Sequence, residues 1–499
     1  MEKKEKLRQQ VDELQKTLDN LKKKLNEVVD SIDSTEKIIE DTVSDNFKLM
    51  LVGESKYRKK EEVKTLSLVS FIAPKFLLKQ IRKSLDLVAI VDHSGSMNGH
   101  KMKNMKQALT FIINQLHSDD TFTVVLFDSM VTCPLRQVKQ DIIGKERSRS
   151  VIRNIQSGTC TNLCGGISRG LDEITKLTLS DKRDQLVICC TDGIANEGAY
   201  TTTTGLVNLV KSYLYPEDKV VLSRCKFNTF GFGGDHNVEA LRAISEMARG
   251  MYYYIEKQEN IPQSIADCLA GVLSVCAQNI QMTIKPINGA KITQIMTKYE
   301  VREEGGSFVV ELGDLFLEER RDIPIKLVLP EVNYLDSPEY YMEVTVEYLD
   351  VTKEIAVKKQ SASTVSFIRT EQEIYELENR ELMEQLNRWV SITYMEEAQK
   401  YGEQNEYKKG QEKLKQAMEK IRNSCVSNSK LSIYLLKELK KVHDNMNTRE
   451  EFNTAGKYLC ATQTQSSGRQ RSSATDSVGA YTTSQQNTLR RASTGNPDL

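Results

Sequence analysis

No apolar run in this chain of 499 residues approaches the ~20 needed to cross a bilayer. Cys-x-x-Cys is absent, which argues against zinc ribbons and RING-type arrays. Histidine is scarce, five in all, leaving little general-base capacity near neutral pH. The chain has no Gly-x-Ser-x-Gly elbow, no Gly-x4-Gly-Lys-Ser/Thr phosphate loop and no His-Glu-x-x-His helix. Charge of neither sign dominates: 69 basic and 69 acidic residues cancel, so electrostatics offer no reason to expect nucleic acid as a partner. These absences predict a protein that is not an enzyme. Within the enzyme class they leave only a non-RING ligase component or a divergent metallohydrolase. The N-terminus opens on charged residues, Met1 to Lys6, rather than a signal peptide. The expected location is cytoplasmic, with the nucleus also open. The ten cysteines are scattered, several in apolar runs (Cys189, Cys190, Cys268, Cys276), as small hydrophobes of a reducing compartment. Cys160 and Cys164 are expected to pack a loop–helix junction.

What is present is most concentrated at residues 85–97. An apolar run, Leu85 to Val91, ends in Asp92-His93-Ser94-Gly95-Ser96. Alternate residues of an extended chain project to one side, so Asp92, Ser94 and Ser96 can converge. A carboxylate and two hydroxyls without a base make a poor nucleophilic trio. They make a good hard-cation site, because Mg²⁺ takes oxygen ligands and keeps some waters. Two further segments carry the same chemistry. Ser157-Gly158-Thr159-Cys160-Thr161-Asn162-Leu163 is a polar loop opening into a helical pattern. Leu186 to Gly193 is a second apolar strand ending in Asp192 and a glycine.

With these three segments in this order, the chain resembles the von Willebrand factor A (VWA) domain. That family's metal-ion-dependent adhesion site uses Asp-x-Ser-x-Ser, a distant Thr and a distant Asp. The resemblance places those roles on Asp92, Ser94, Ser96, Thr161 and Asp192. Thr159 competes for the threonine role, but Thr161-Asn162-Leu163 fits the family's run better. The order of segments is also similar to plant and protist VWA proteins with a C-terminal accessory domain. Some plant relatives begin with a RING finger. Here a heptad segment stands in its place, so this layout is RING-less and the ligase activity is not carried over.

Residues 1–43 space Leu7, Val11, Leu14, Leu18, Leu21, Leu25, Val28 and Ile32 at 4-3 intervals between charged residues, the seam of a coiled coil. Self-association is expected; the alternative is one helix folded back on the chain's own helical region. Residues 46–78 alternate as strands and cannot stand alone. Over 83–276 strand and helix periods alternate, predicting an α/β doubly wound, mostly parallel sheet of Rossmann-like VWA type. Strand candidates are 85–92, 121–129, 131–138, 185–191, 227–232 and 251–255, with an antiparallel excursion at 121–138. Residues 278–370 predict an antiparallel β-sandwich. The strands at 46–78 are expected to join it, making the α/β domain an insertion. Residues 371–460 read as helical, and the Ser/Thr/Gln-rich segment 461–499 as a disordered tail.

The resemblance implies a function. Mg²⁺ or Mn²⁺ would be bound mainly by neutral hydroxyls, leaving one position for a glutamate or aspartate of another protein. His93, Met97, Asn98, His100, Asn162, Ile194, Asn196 and Glu197 are the expected rim of that contact. The alternatives are a purely structural metal, or an adaptor that recruits substrates to a ubiquitin-ligase system. Arg490-Arg491-Ala492-Ser493 matches the preference of basophilic kinases, making Ser493 a phosphorylation candidate in a segment expected to be accessible.

Overall fold

The computed structural model describes residues 47–53, 62–75, 82–177, 183–215, 225–332, 338–352, 357–368, 379–473 and 479–494. The expected coiled coil, residues 1–43, lies outside them. The strands and helices named here belong to one compact unit, residues 48–73 and 81–499.

The central layer is a six-stranded sheet. Its strands are β3 (Ser84–Asp92), β4 (Thr121–Phe127), β5 (Val131–Lys139), β6 (Arg183–Thr191), β7 (Cys225–Phe232) and β8 (Tyr252–Ile255), in the order β5-β4-β3-β6-β7-β8. Neighbours are parallel except β4 and β5, which form the antiparallel excursion. Val88, Ile90, Val187 and Cys189 face one core, while Leu87, Ala89, Leu186 and Ile188 face another. Both faces are covered, which is why these strands are continuous apolar runs rather than alternating ones. Helices α1 (His100–Gln115), α2 (Ile142–Arg153) and α6 (Ile261–Leu273) cover one face. Helices α3 (Leu163–Thr175), α4 (Thr203–Leu214) and α5 (Val238–Met247) cover the other. Helix α3 lies close on the sheet because Gly166 and Gly170 share one of its faces. A Cβ at Gly170 would fall 2.4 Å from Ile90 Cδ1, and one at Gly166 2.6 Å from Phe127 Cδ1.

The remaining strands make two antiparallel sheets. β1 (Lys48–Gly53) and β2 (Val63–Ile72) pair with each other. β2 then pairs with β13 (Arg320–Leu329) through ten residues, from Val63↔Leu329 to Ile72↔Arg320. β10 (Lys291–Ile295) completes this sheet. The other sheet runs β11 (Glu300–Glu304), β12 (Ser307–Phe316), β9 (Val275–Pro286), β14 (Pro338–Asp350), β15 (Val357–Ile368). The two touch: the rings of Phe71 and Tyr348 stand 5.2 Å apart. The chain thus leaves the antiparallel layer after β2, builds the α/β layer, and returns at β9.

Helices α7 (Arg380–Glu403), α8 (Tyr407–Arg422) and α9 (Lys430–Asp444) extend the core on the α3–α5 face through Met395, Leu414, Ala417 and Leu435. The disordered tail expected from 461 is corrected here. Helix α10 (Lys457–Arg469) is buried from Tyr458 to Gly468. Helix α11 (Ser484–Thr494) packs on α6. Much of the Ser/Thr/Gln content that predicted disorder is instead paired internally. Thr464 Oγ1 donates to Cys460 O at 2.7 Å, and Gln465 Oε1 accepts the Tyr252 amide at 2.7 Å. That amide lies on the open edge of β8, so α10 covers a sheet edge that would otherwise expose unpaired donors. Arg388, 2% exposed, donates to Ser467 O at 2.9 Å and Asp322 O at 2.7 Å, tying α7 to α10 and β13.

Candidate metal centre at the strand ends

Strands β3 and β6 are adjacent and parallel, with Val91 opposite Cys190. Their carboxyl ends therefore deliver Asp92 and Asp192 side by side, the usual place for ligands in an open α/β sheet. Asp92, Ser94, Thr161 and Asp192 are buried, with Asp92 at 0% exposure; Ser96 is exposed. Asp92 Oδ1 accepts the Ser94 amide at 2.8 Å, and Oδ2 accepts Thr191 Oγ1 at 2.6 Å. Ser94 and Ser96 hydroxyls are 3.1 Å apart, and Ser96 Oγ donates to Asp192 Oδ1 at 2.7 Å. Thr161 precedes α3, and its Oγ1 would stand 3.2 Å from a Cβ built on Gly193, next to Asp192. Hydrogen bonds thus link Asp92, Ser94, Ser96 and Asp192, and Thr161 stands beside Gly193, the neighbour of Asp192.

The loops that hold them are tied together. Gly95 N donates to Thr159 O at 2.9 Å and Gly158 N to His93 O at 2.5 Å. Asn196 Oδ1 accepts the Thr161 amide at 2.9 Å, and the Asn162 side chain caps α3 by accepting from Gly165 N at 2.9 Å. Asp128 orders the β4–β5 turn through the Met130 amide at 2.7 Å.

The rim differs from expectation. Met97 is a correction: at 0% exposure it belongs to the core under α1. An unbranched apolar side chain at the start of a helix goes to the nearest cavity, not to water. His93 is half-buried and bridges loops, its Nδ1 2.9 Å from Gln156 O and its Nε2 3.8 Å from Asp128. Asn98, His100, Ile194 and Asn196 are exposed, while Asn162 and Glu197 are half-buried. Cys164 is buried and Cys160 half-buried, both free thiols. Ser493 is also a correction. It is 4% exposed, its hydroxyl donates to Arg490 O at 2.7 Å, and Arg490 is held by Asp267 at 2.7 Å. A kinase would find Arg491 exposed but Arg490 engaged and the serine itself buried.

Three residues at the centre escaped the sequence reading: Thr191, Asp128 and Lys101. Lys101 Nζ lies 2.5 Å from Asp192 Oδ2. A signal existed. Lys101 stands in the first turn of α1, where a helix disfavours cations unless something nearby is anionic.

The donor set suits a hard divalent ion. Its expected ligands offer two carboxylates and three hydroxyls, and no thiolate or imidazole. Among the described residues no group of three or more His, Cys, Asp or Glu is placed to hold a metal, so the hydroxyls are indispensable to any such site. Burial pushes the Asp92 carboxyl above its usual range; hydrogen bonds from Ser94 and Thr191 oppose this, and the charge of Asp192 adds to it. A cation between the two carboxylates would relieve that repulsion, and the Lys101 ammonium already does so for Asp192.

Residues 86–267 match the von Willebrand factor type A domain family. The chain contains a VWA domain. It is 23% identical over 282 residues to an uncharacterized protein of Synechocystis sp., covering 54% of this chain and 62% of that one. It is 25% identical over 262 residues to the E3 ubiquitin-protein ligase WAV3 of Arabidopsis thaliana, covering 50% of this chain and 31% of the ligase. The alignments thus span between about a third and three fifths of these relatives' lengths. A solved von Willebrand factor type A structure from Catenulispora acidiphila superposes with a TM-score of 0.59 at 14% identity, covering 80% of this chain and 89% of that one. The shared fold therefore extends beyond the VWA domain into the flanking strands and helices. VWA domains are protein-interaction modules, typically without catalytic activity.

Proposed function

We propose that this protein binds other proteins through a divalent ion. Asp92, Ser94, Ser96, Thr161 and Asp192 would hold Mg²⁺ or Mn²⁺, and a glutamate or aspartate of the partner would complete its shell. The observation that carries this reading is the linked cluster Asp92–Ser94–Ser96–Asp192, buried except at Ser96. A site closed on all sides would serve only the fold; one open at a single hydroxyl suits an incoming ligand. When bound, the ion would supply a directional contact to an oxygen anion. The chain's own side chains supply the rest of the footprint. Met130, Ile194 and Tyr200 are 71%, 58% and 47% exposed, and they lie on the loops that flank the cluster. The partner surface is then an acidic residue set among apolar ones, because exposed apolar groups beside a directional contact supply area while the contact supplies specificity. The two antiparallel sheets, which we take as a sandwich, and the C-terminal helices would serve as a rigid base.

Calorimetry with the Asp92→Asn variant tests the site. The amide keeps both hydrogen bonds, accepting from Ser94 and donating to Thr191, and removes the charge. Metal binding is expected to vanish and the metal-free melting temperature to hold or rise. Equal Mg²⁺ affinity in the variant refutes the assignment. In pull-downs, EDTA is expected to release the main partner; a purely structural metal would leave it bound.

Two further readings belong here. The similarity to the ligase WAV3 favours a role in recruiting substrates to a ubiquitin-ligase system. A ubiquitin-transfer assay separates recruitment from catalysis. Residues 1–43 would oligomerise the protein in the cytoplasm, and light scattering with and without them gives the number of chains.

A further inference from the structure

We propose that Lys101 is the resident cation of the metal centre, holding Asp192 when the divalent ion is absent and yielding it when the ion binds. This rests on the metal-site reading and adds its regulation: the lysine sets how much ion is needed to load the site.

Four observations support the exchange. The Asp192 side chain is 0% exposed, and both its oxygens are engaged, Oδ1 by Ser96 Oγ at 2.7 Å and Oδ2 by Lys101 Nζ at 2.5 Å. An ion ligated by Asp192 would stand beside that ammonium, and like charges so close repel strongly in a desolvated site. The Ser96 hydroxyl can rotate in place to present a lone pair, but an ammonium has no lone pair to offer and has to leave. It has somewhere to go, because the Lys101 side chain is 30% exposed on a flexible four-carbon stem. The place it occupies is unfavourable without Asp192. Lys101 is in the first turn of α1 with His100 and Lys103 and no acidic residue, so basic side chains crowd the positive end of the helix. A lysine there is explained by the carboxylate it neutralises. Loading is then cation for cation. The ion has to displace a tethered competitor at high effective concentration, which weakens its apparent affinity.

The experiment is isothermal calorimetry with MnCl₂ or MgCl₂ on the full chain and three variants at constant ionic strength. Lys101→Met keeps the stem and removes the competitor; it is expected to bind the ion about tenfold more tightly than wild type. Lys101→Arg keeps a cation and is expected to stay near wild type, which a merely steric role for the stem would not require. Asp92→Asn marks loss of the site. Lys101→Met binding no tighter than wild type overturns the proposal while the site itself stands. No binding in any chain overturns both. Binding in Lys101→Met alone supports it in the extreme form, a site closed by its own lysine. A second readout is taken on the wild-type protein, with Asp92→Asn as its control. Acylation of Lys101 in the wild-type protein, mapped by peptide mass, is expected to rise severalfold on adding Mg²⁺ and not to rise in Asp92→Asn. Unchanged labelling with ion bound also overturns the exchange.

Discussion

Replacing Glu319 with alanine is expected to cost about 3–5 kcal/mol of stability, the scale for removing one member of a buried charged cluster. Glu319 sits at the turn between β12 and β13. Its carboxylate accepts Arg321 Nη2 at 2.7 Å, Arg471 Nε and Nη2 at 2.9 Å each, and the Phe316 amide at 2.9 Å. Burial alone would raise its pKa, but Arg321 and Arg471 outweigh that and hold it at about 2. Arg321 is 1% exposed, so loss of the carboxylate strands a charge with no route to water. Arg471 follows α10 and leads towards α11, so the same substitution loosens the segment that covers β8 and α6. Urea unfolding measures the cost, and amide exchange at 479–494 reports the loosening. A loss below about 1 kcal/mol would mean that the cluster only balances its own desolvation. The depressed pKa also has a pH signature. The stabilisation is complete above pH ~4.5 and is lost as pH falls towards about 2.

A second large effect is expected on acidification, and two buried groups with opposite signs shape it. His236 sits beneath Tyr252, Tyr254 and Tyr458, its Nε2 2.6 Å from the Tyr252 hydroxyl. Burial and then the charge of Lys457 lower its pKa from 6.5 to about 3. The unfolded chain therefore binds a proton that the folded chain refuses, and stability falls as pH drops from 6.5 towards about 3. At about 1.4 kcal/mol per unit, the full loss is of order 5 kcal/mol. Asp267 acts the other way. Burial raises it from 3.8 to about 6 against the pull of Arg490, so protonation favours the folded state. Its contribution grows as pH falls from about 6 towards 3.8. Between about pH 6 and 4 the two slopes nearly cancel. Asp267→Asn should therefore lose about 1.4 kcal/mol per pH unit across that window. His236→Phe, which keeps an aromatic ring and cannot protonate, should instead gain stability on mild acidification. Chemical unfolding at pH 7, 6, 5 and 4 measures both; parallel curves for the three proteins would remove these groups from the account.

The hydrogen-bonded cluster of Asp92, Ser94, Ser96 and Asp192 was legible because its residues sit in short segments at places set by local pattern. Asp92 and Asp192 each end an apolar strand, and Asn162 announces the start of α3 beside Thr161. Lys101 left only a weak trace, a cation in the first turn of α1, and its partner became visible only when the fold placed Asp192 opposite it. Met97 misled: next to the exposed Ser96, it turns inward. The antiparallel excursion at β4–β5 and the helices α1 and α3 to α6 follow from period alone. The strand and helix alternation read over 83–276 closes with α6 at Leu273, and β9 takes over at Val275 to join the antiparallel sheet. Period does not mark that change, because both structures are buried there.

The amino-acid order alone determined the α/β layer and the placing of Asp92 and Asp192 at its strand ends, because both depend on neighbours within a few residues. Only the tertiary structure decided the fate of residues 457–473 and 479–494. Beyond its apolar first turn, Tyr458 to Ala461, α10 is Thr, Gln and Ser and has no stripe to bury. It folds because Tyr252, Glu319 and Arg388 meet its polar groups, and those partners stand far away in sequence.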